Sequence, residues 1–501
     1  MYNSFLGHDI YVFITETFLV VSLLFLLIYG VICSTSPRYG NPVIARNIVY
    51  LSLQSLLFSL FLQINNCIEY ELAFNNLLVV DKITNFTKLV ILLGGVLCLI
   101  LAIDYVKQEC LNTFEYFILT ILAILAILFI TSSYDLLSIY LAIELQSLVF
   151  YILASIRRSS EFSTESGLKY FILGAFSSGL LLFGISIIYG FTGLTNFEDL
   201  SRFFINFSYK ALDYTSSGAL LGVTFLSASF FFKISAAPFH IWSPDVYEGA
   251  PTSVTAFFSV MPKIVIISVF IRLFNKSFHD LFLSWQSLTV FCSLFSLLVG
   301  SFGAFVQSRV KRFIAYSSIS HIGYILIAFS SANTGGASSL FIYIVIYIII
   351  MISAFSVVLS LRKYKKKDSS CQIRYLTELS ILSKTHPILA ICITVVLFSI
   401  AGIPPLAGFF SKLLVFLSAI ESALYGLALA GILLSCVACF YYIRLIKIIY
   451  FEKLENWPIY MPIDKSKSLI LGVLILLLLI FGIDPELLIT PISLGVSTIN
   501  S

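Results

Sequence analysis

Seven ionisable side chains stand where an apolar chain tolerates them least: Glu144, Lys169, Lys233, Lys263 and Lys412, with His240 and His321 close by. A charge at the centre of a bilayer costs at least ~2.5–3.5 kcal/mol on insertion scales. The simplest reason to keep such groups is structural, as ion pairs that hold helices together. One carboxylate, Glu144, cannot neutralise four ammonium groups, so lysines are left over. Burial favours the neutral form of a lysine and a nearby carboxylate favours the charged one. A lysine held between those influences can take up and release a proton, and a row of them linked by water is a proton path. His321 lies among hydroxyls in Tyr316-Ser317-Ser318-Ile319-Ser320 and suits either proton relay near neutral pH or a satisfied structural role. His240 follows a helix break and reads as part of a polar path.

The elements that must position these groups follow from composition. The chain has 501 residues, of which 59% are hydrophobic, 15% aromatic and 11% charged, with a mean hydropathy of +1.01. Typical soluble proteins are about 25% charged, so soluble globular and disordered classes are excluded. Apolar runs of about 20 residues recur along the chain, which predicts an all-α polytopic membrane protein with about 14 spans. The first run starts near Ile10 and continues as a full span, so no cleavable leader is expected. Two runs are broken: 216–240 ends in Ala236-Ala237-Pro238, and 387–420 contains Pro404-Pro405. Proline removes a backbone N–H and opens carbonyls. Irregular backbone at membrane depth persists only where protein or water satisfies it, and such breaks beside charges mark ion sites in transporters.

The remaining charges set orientation. About 20 basic residues, including the Lys363–Lys367 run, fall in loops after odd-numbered spans, and about five, including Arg272, in loops after even-numbered ones. That bias places odd loops on the cytoplasmic or matrix side and both termini opposite. Lys88, near the start of span three, can snorkel, and Glu16 is expected at the interface. Spans seven and twelve, each broken and each with a lysine, lie five spans apart. An odd-numbered repeat reverses direction, which predicts two inverted five-helix units: 112–275 (spans 4–8) and 276–450 (spans 9–13), between an N-terminal 1–111 and a C-terminal 451–501. Nine cysteines in apolar runs do not read as a disulfide framework, and Cys436-x-x-Cys439 reads as small residues in a helix. No metal spacing, phosphate loop or nucleotide fingerprint is present, and a net charge of +4 does not suggest nucleic acid.

Six segments carry a family resemblance: YLAIELQSL at 140–148, KYFILGAFSS at 169–178, APFH at 237–240, PDVYEGAP at 244–251, KRFIAYSSISH at 311–321 and AGIPPLAGF at 401–409. Together they resemble subunit 2 of NADH dehydrogenase, an antiporter-like membrane subunit of respiratory complex I, in the long form of plant, algal and protist mitochondria. The resemblance implies that Glu144 and Lys233 pair, that Lys169 lies near them, that Lys263 is the central lysine, and that Lys412 is the lysine of span twelve. It implies redox-driven proton pumping, with NADH, FMN, iron–sulfur clusters and ubiquinone handled by partner subunits and no cofactor or metal in this chain. The expected partners are other membrane-arm subunits and lipids, in the mitochondrial inner membrane with both termini toward the intermembrane space. The same ionisable set occurs in multisubunit Na⁺/H⁺ antiporters. A stand-alone secondary transporter and a purely structural subunit also remain open on the residues alone.

Overall fold

The structure, a computed structural model, describes residues 2–34, 45–66, 68–109, 114–205, 214–365, 369–380, 382–452 and 460–496. Of the roughly 25 loop charges counted above for orientation, Lys366 and Lys367 of the Lys363–Lys367 run, together with Arg38, Lys210 and Lys453, lie outside the described residues. Twelve helices among the described residues are long and apolar enough to cross a membrane. Two shorter apolar helices, Gly218–Ile234 and Pro387–Ala401, supply the two broken spans. The all-α, fourteen-span architecture is therefore present, with its breaks in spans seven and twelve. The helices fall into two compact units.

The first unit comprises Met1–Ile234, Met261–Trp285 and Gly495–Ser501. Its elements run α1 (Tyr2–Val12), α2 (Ile14–Ser34), α3 (Ala45–Ile64), β1 (Tyr70–Ala73), β2 (Leu78–Asp81), α4 (Lys82–Gln108), α5 (Glu115–Ser132), α6 (Leu136–Ala154), α7 (Glu161–Thr192), α8 (Phe197–Phe204) and α9 (Tyr214–Ile234). The antiparallel hairpin β1–β2 turns through Asn75 and Asn76, both left-handed, a conformation asparagine tolerates. Its Ala73 and Val80 pack on Val12 and Phe13 at the α1–α2 junction. Asp81 ends β2 and caps α4, accepting the Thr84 N–H at 2.8 Å in a capping box.

Asp81 has a second partner. Arg272 donates to both of its carboxylate oxygens at 3.0 Å and to the Thr131 carbonyl at 2.7 Å, in the last turn of α5. Burial raises the Asp81 carboxyl, but the Arg272 charge, the Thr84 N–H and the Thr84 hydroxyl outweigh it and hold the group below its ordinary value. Arg272, expected in a loop, is instead the buried last residue of the helix Thr252–Arg272, and it clamps two helix ends.

The second unit comprises Ser235–Val260 and Gln286–Leu494. It holds α10 (Trp242–Gly249), the first turns of α11 (Thr252–Arg272), most of α12 (Phe282–Val306), α13 (Val310–Ser330), α14 (Thr334–Ser360), β3 (Arg362–Lys365), β4 (Ser369–Gln372), α15 (Leu382–Thr385), α16 (Pro387–Ala401), α17 (Ala407–Glu421), α18 (Tyr425–Phe451), α19 (Lys465–Ile483) and α20 (Glu486–Val496). Helix α14 is apolar on every side, and such a helix is buried; it packs on α13, α16, α17 and α19. Pro262 interrupts α11, and buried tyrosines serve the carbonyls just before it. Tyr247 donates to Phe258 at 3.4 Å and Tyr347 to Ser259 at 3.2 Å. On the loop side, Glu378 accepts from the Arg374 N–H at 2.8 Å and from Lys363 at 3.0 Å.

Candidate functional site: buried lysines and the span breaks

In the second unit the site is built on the break between α16 and α17. Helix α16 ends at Ala401, and Gly402 takes a left-handed φ of 85° that turns the chain. Pro404 and Pro405 cannot continue the hydrogen-bond ladder, so the last carbonyls of α16 need donors from elsewhere. Lys412, five residues into α17, supplies them. Its ammonium donates to the Ile400 carbonyl at 3.0 Å and the Ala401 carbonyl at 2.8 Å. The negative end of the α16 dipole favours that cation, and the Tyr324 ring lies 5.0 Å away beneath it. Only 6% of Lys412 is exposed.

His321 stands near this lysine's aromatic partner. It is buried on α13, and its Nδ1 lies 2.6 Å from the Tyr343 hydroxyl of α14. The rings of Tyr324 and Tyr347 flank it at 6.3 and 5.5 Å. Lys412, Tyr324, His321 and Tyr343 thus form one polar cluster enclosed by apolar helices. The tyrosines were not singled out in the sequence. Their spacing was the available signal: Tyr343 and Tyr347 are one turn apart on α14, and Tyr324 is three residues from His321.

His240, also in the second unit, follows the first break. It is half-buried, and its Nδ1 has no hydrogen-bond partner among the described residues. Ser235, with a left-handed φ of 61°, and Pro238 lie between α9 and α10.

In the first unit, Lys233 occupies the last turn of α9. Its ammonium is buried and makes no hydrogen bond among the described residues. Glu144, in the middle of α6, is the carboxylate that acts on it electrostatically. Glu144 is half-buried, and its Oε2 also lacks a hydrogen-bond partner there. Lys263 is 2% exposed, next to Pro262. The two broken spans therefore place their lysines differently: Lys233 precedes its break and Lys412 follows its own.

Three expectations need correction. Lys169 is not buried: it lies on an open side of α7, its side chain 45% exposed, and pairs with Glu165 one turn earlier at 2.8 Å. It sits about 12 Å along a 32-residue helix that is longer than the membrane needs, so an exposed pair is tolerated there. Conversely, Lys88 does not snorkel and Glu16 is not interfacial. Both are 1% exposed, and they pair at 2.6 Å. Thr15 donates to the other Glu16 oxygen at 2.5 Å, and Lys88 sits 4.7 Å over the Phe13 ring. Opposite charges at similar depth in spans that enter from the same side were the signal for this pair. Among the described residues no cluster of three His, Cys, Asp or Glu side chains could hold a metal ion.

Comparison with known proteins places this arrangement. A family model described as "NADH:quinone oxidoreductase/Mrp antiporter, TM" matches residues 133–438, which include Glu144, all the lysines of the two breaks, His240 and His321. The chain is 47% identical to NADH-ubiquinone oxidoreductase chain 2 of Marchantia polymorpha, over 96% of each protein. It is 43% identical to the chain of the same name from Arabidopsis thaliana, over 97% of this chain and 95% of that one. Among solved structures, a chain of respiratory complex I from Thermus thermophilus with bound aureothin superposes with a TM-score of 0.80 at 26% identity, covering 96% of this chain and all of that one.

Proposed function

Because the chain belongs to the NADH-ubiquinone oxidoreductase chain 2 family, we propose that it is a proton-translocating membrane-arm subunit of respiratory complex I, in the mitochondrial inner membrane. Electron transfer from NADH to ubiquinone, with its flavin and iron–sulfur centres, takes place in partner subunits. This chain carries no redox group and moves protons only. Both termini face the intermembrane space, because the basic loops follow the odd-numbered spans.

The observation that carries this reading is the pair of broken apolar spans, each with a buried lysine ammonium at the break, Lys233 and Lys412. Neither needs a bound solute to explain it, and both can change protonation within the membrane. In this mechanism Glu144 sets the proton affinity of Lys233, Lys263 passes protons laterally, and His321 and Lys412 hand them on toward a membrane face. His240 lines the polar entry beside the first break. Lys169, exposed and paired with Glu165, serves the edge of the path next to a neighbouring subunit.

The test is proton translocation per NADH oxidised by the assembled complex in sealed vesicles. Lys233→Ala and Lys263→Ala should each lower that ratio while the complex still assembles. An unchanged ratio in both variants would sink the path, and loss of assembly in both, with arginine variants pumping normally, would favour a structural role.

A further inference from the structure

A groove opens in the second unit between the C-terminal end of α14 and the first turns of α16 and α19, on the side of the basic loops. It encloses about 350 Å³. At the helix ends its polar lining is Ser360, His386, Lys467 and Ser468, with Pro387, Ile388 and Ile463 beside them. One to two turns farther along the same helices it is mostly apolar, lined by Leu389, Cys392, Leu471 and Gly472, with the hydroxyl of Ser356 at that depth. The gathering of its charged and most of its polar side chains at the helix ends, with a mostly apolar lining beyond, matches the long axis of a lipid.

Lys467 is the unusual member of this lining. Its side chain is 2% exposed, and its ammonium lies 2.9 Å from Asp464 Oδ2. That bond occupies one of three N–H donors, and Asp464 is the one anionic partner Lys467 has among the described residues. The surroundings add positive charge. Helices α16 and α19 both begin at the groove, which brings the positive ends of two helix dipoles to it. Lys384 and Lys465 are exposed in the adjoining segments. Basic pockets between spans on this side of a membrane select anionic headgroups.

We infer that this groove binds one anionic phospholipid. Its phosphate lies between His386, Ser360 and Lys467, and one acyl chain runs along Leu389, Cys392, Leu471 and Gly472. The site is separate from the lysines of the proton path.

The intact complex in phosphatidylcholine vesicles doped with a diazirine-bearing phosphatidylglycerol tests this. Irradiation and peptide mapping should label the segments 386–392 and 467–472. Lys467→Met should lower that labelling on the order of fivefold, the weight of one basic residue against an anionic headgroup. Gly472→Leu grows into space with nothing within 4 Å of its added Cβ, and should remove the label with Lys467 still in place. Absence of label in the wild type overturns the proposal. So does equal labelling by a diazirine-bearing phosphatidylcholine, or a crosslink that puts a neighbouring subunit's side chain in the groove. If Lys467→Met fails to assemble, the wild-type map and Gly472→Leu still decide.

Discussion

The ammonium of Lys412 on α17 donates at 2.8 Å to the carbonyl of Ala401, the last residue of α16, across the break that separates the two helices. Gly402 makes that approach possible twice over. Its φ of 85° suits glycine, and a Cβ there would lie 2.9 Å from Lys412 Cδ. Gly402→Ala should therefore push the ammonium off its carbonyls, at a backbone cost of about 1 kcal/mol. The complex should assemble and oxidise NADH while pumping fewer protons per NADH. Gly426→Ala, with nothing near its added Cβ, is the matched control and should pump normally.

The Glu16–Lys88 pair makes a different prediction, because it lies in α2 and α4, apart from the path residues of the two breaks. Removing one partner leaves the other charge buried and uncompensated, which costs about 3–5 kcal/mol. Lys88→Met should lower the amount of assembled complex and its melting temperature. The double variant Lys88→Met with Glu16→Gln should recover most of both. Recovery of stability with an unaltered pumping ratio marks the pair as structural; a lost ratio in the recovered double variant would put it on the path.

Tyr343→Phe keeps the ring beside His321 and removes the hydroxyl 2.6 Å from its Nδ1. If His321 relays protons, this change should slow pumping at unchanged assembly, and His321→Gln should do the same. Normal translocation rates in both variants would assign His321 to packing alone.

The Asp81–Arg272 clamp gives a pH dependence. Asp81 is held below its ordinary value of 3.8 by Arg272 and the Thr84 donors, against the opposing effect of burial. Its stabilising contribution is thus complete above the unfolded-state pKa and is lost as pH falls through the lower, folded value. Melting of the solubilised protein followed from about pH 6 to about pH 3 should steepen at the acid end. Asp81→Asn should melt lower at neutral pH and show a shallower acid slope. Equal slopes would remove Asp81 from the account.

The spans, their order and their breaks were legible in the sequence, because each rests on a local signal: a run of about 20 apolar residues, or a proline within one. Glu144, Lys233, Lys263 and Lys412 were legible for the same reason, as charges in apolar context. What the sequence hid depends on which face of a helix a residue occupies. Lys169 and Lys263 look equally intramembrane in one dimension, yet one is open on α7 and the other enclosed on α11. Lys88 and Glu16 are 72 positions apart and meet only through packing of helices. The tyrosines around His321 read as ordinary aromatic content in a chain that is 15% aromatic. Arg272 looked like a loop charge because hydropathy cannot tell an outward side chain from one folded back onto Asp81.

The seat of Lys412 has a kinetic meaning as well as a structural one. Two carbonyls receive its hydrogen bonds, and a neutral primary amine still owns two N–H groups. The side chain can therefore give up its third proton while keeping both bonds to Ile400 and Ala401. The two bonds become neutral ones, and the attractions to the carbonyl end of α16 and to the Tyr324 face weaken, but the geometry is kept. Charge and shape are largely uncoupled at this point: the local charge can change by a full unit with little rearrangement of heavy atoms. In the proposed path, a seat of this kind would let proton exchange at Lys412 follow the field reaching it from elsewhere in the membrane rather than motion of the helix that bears it.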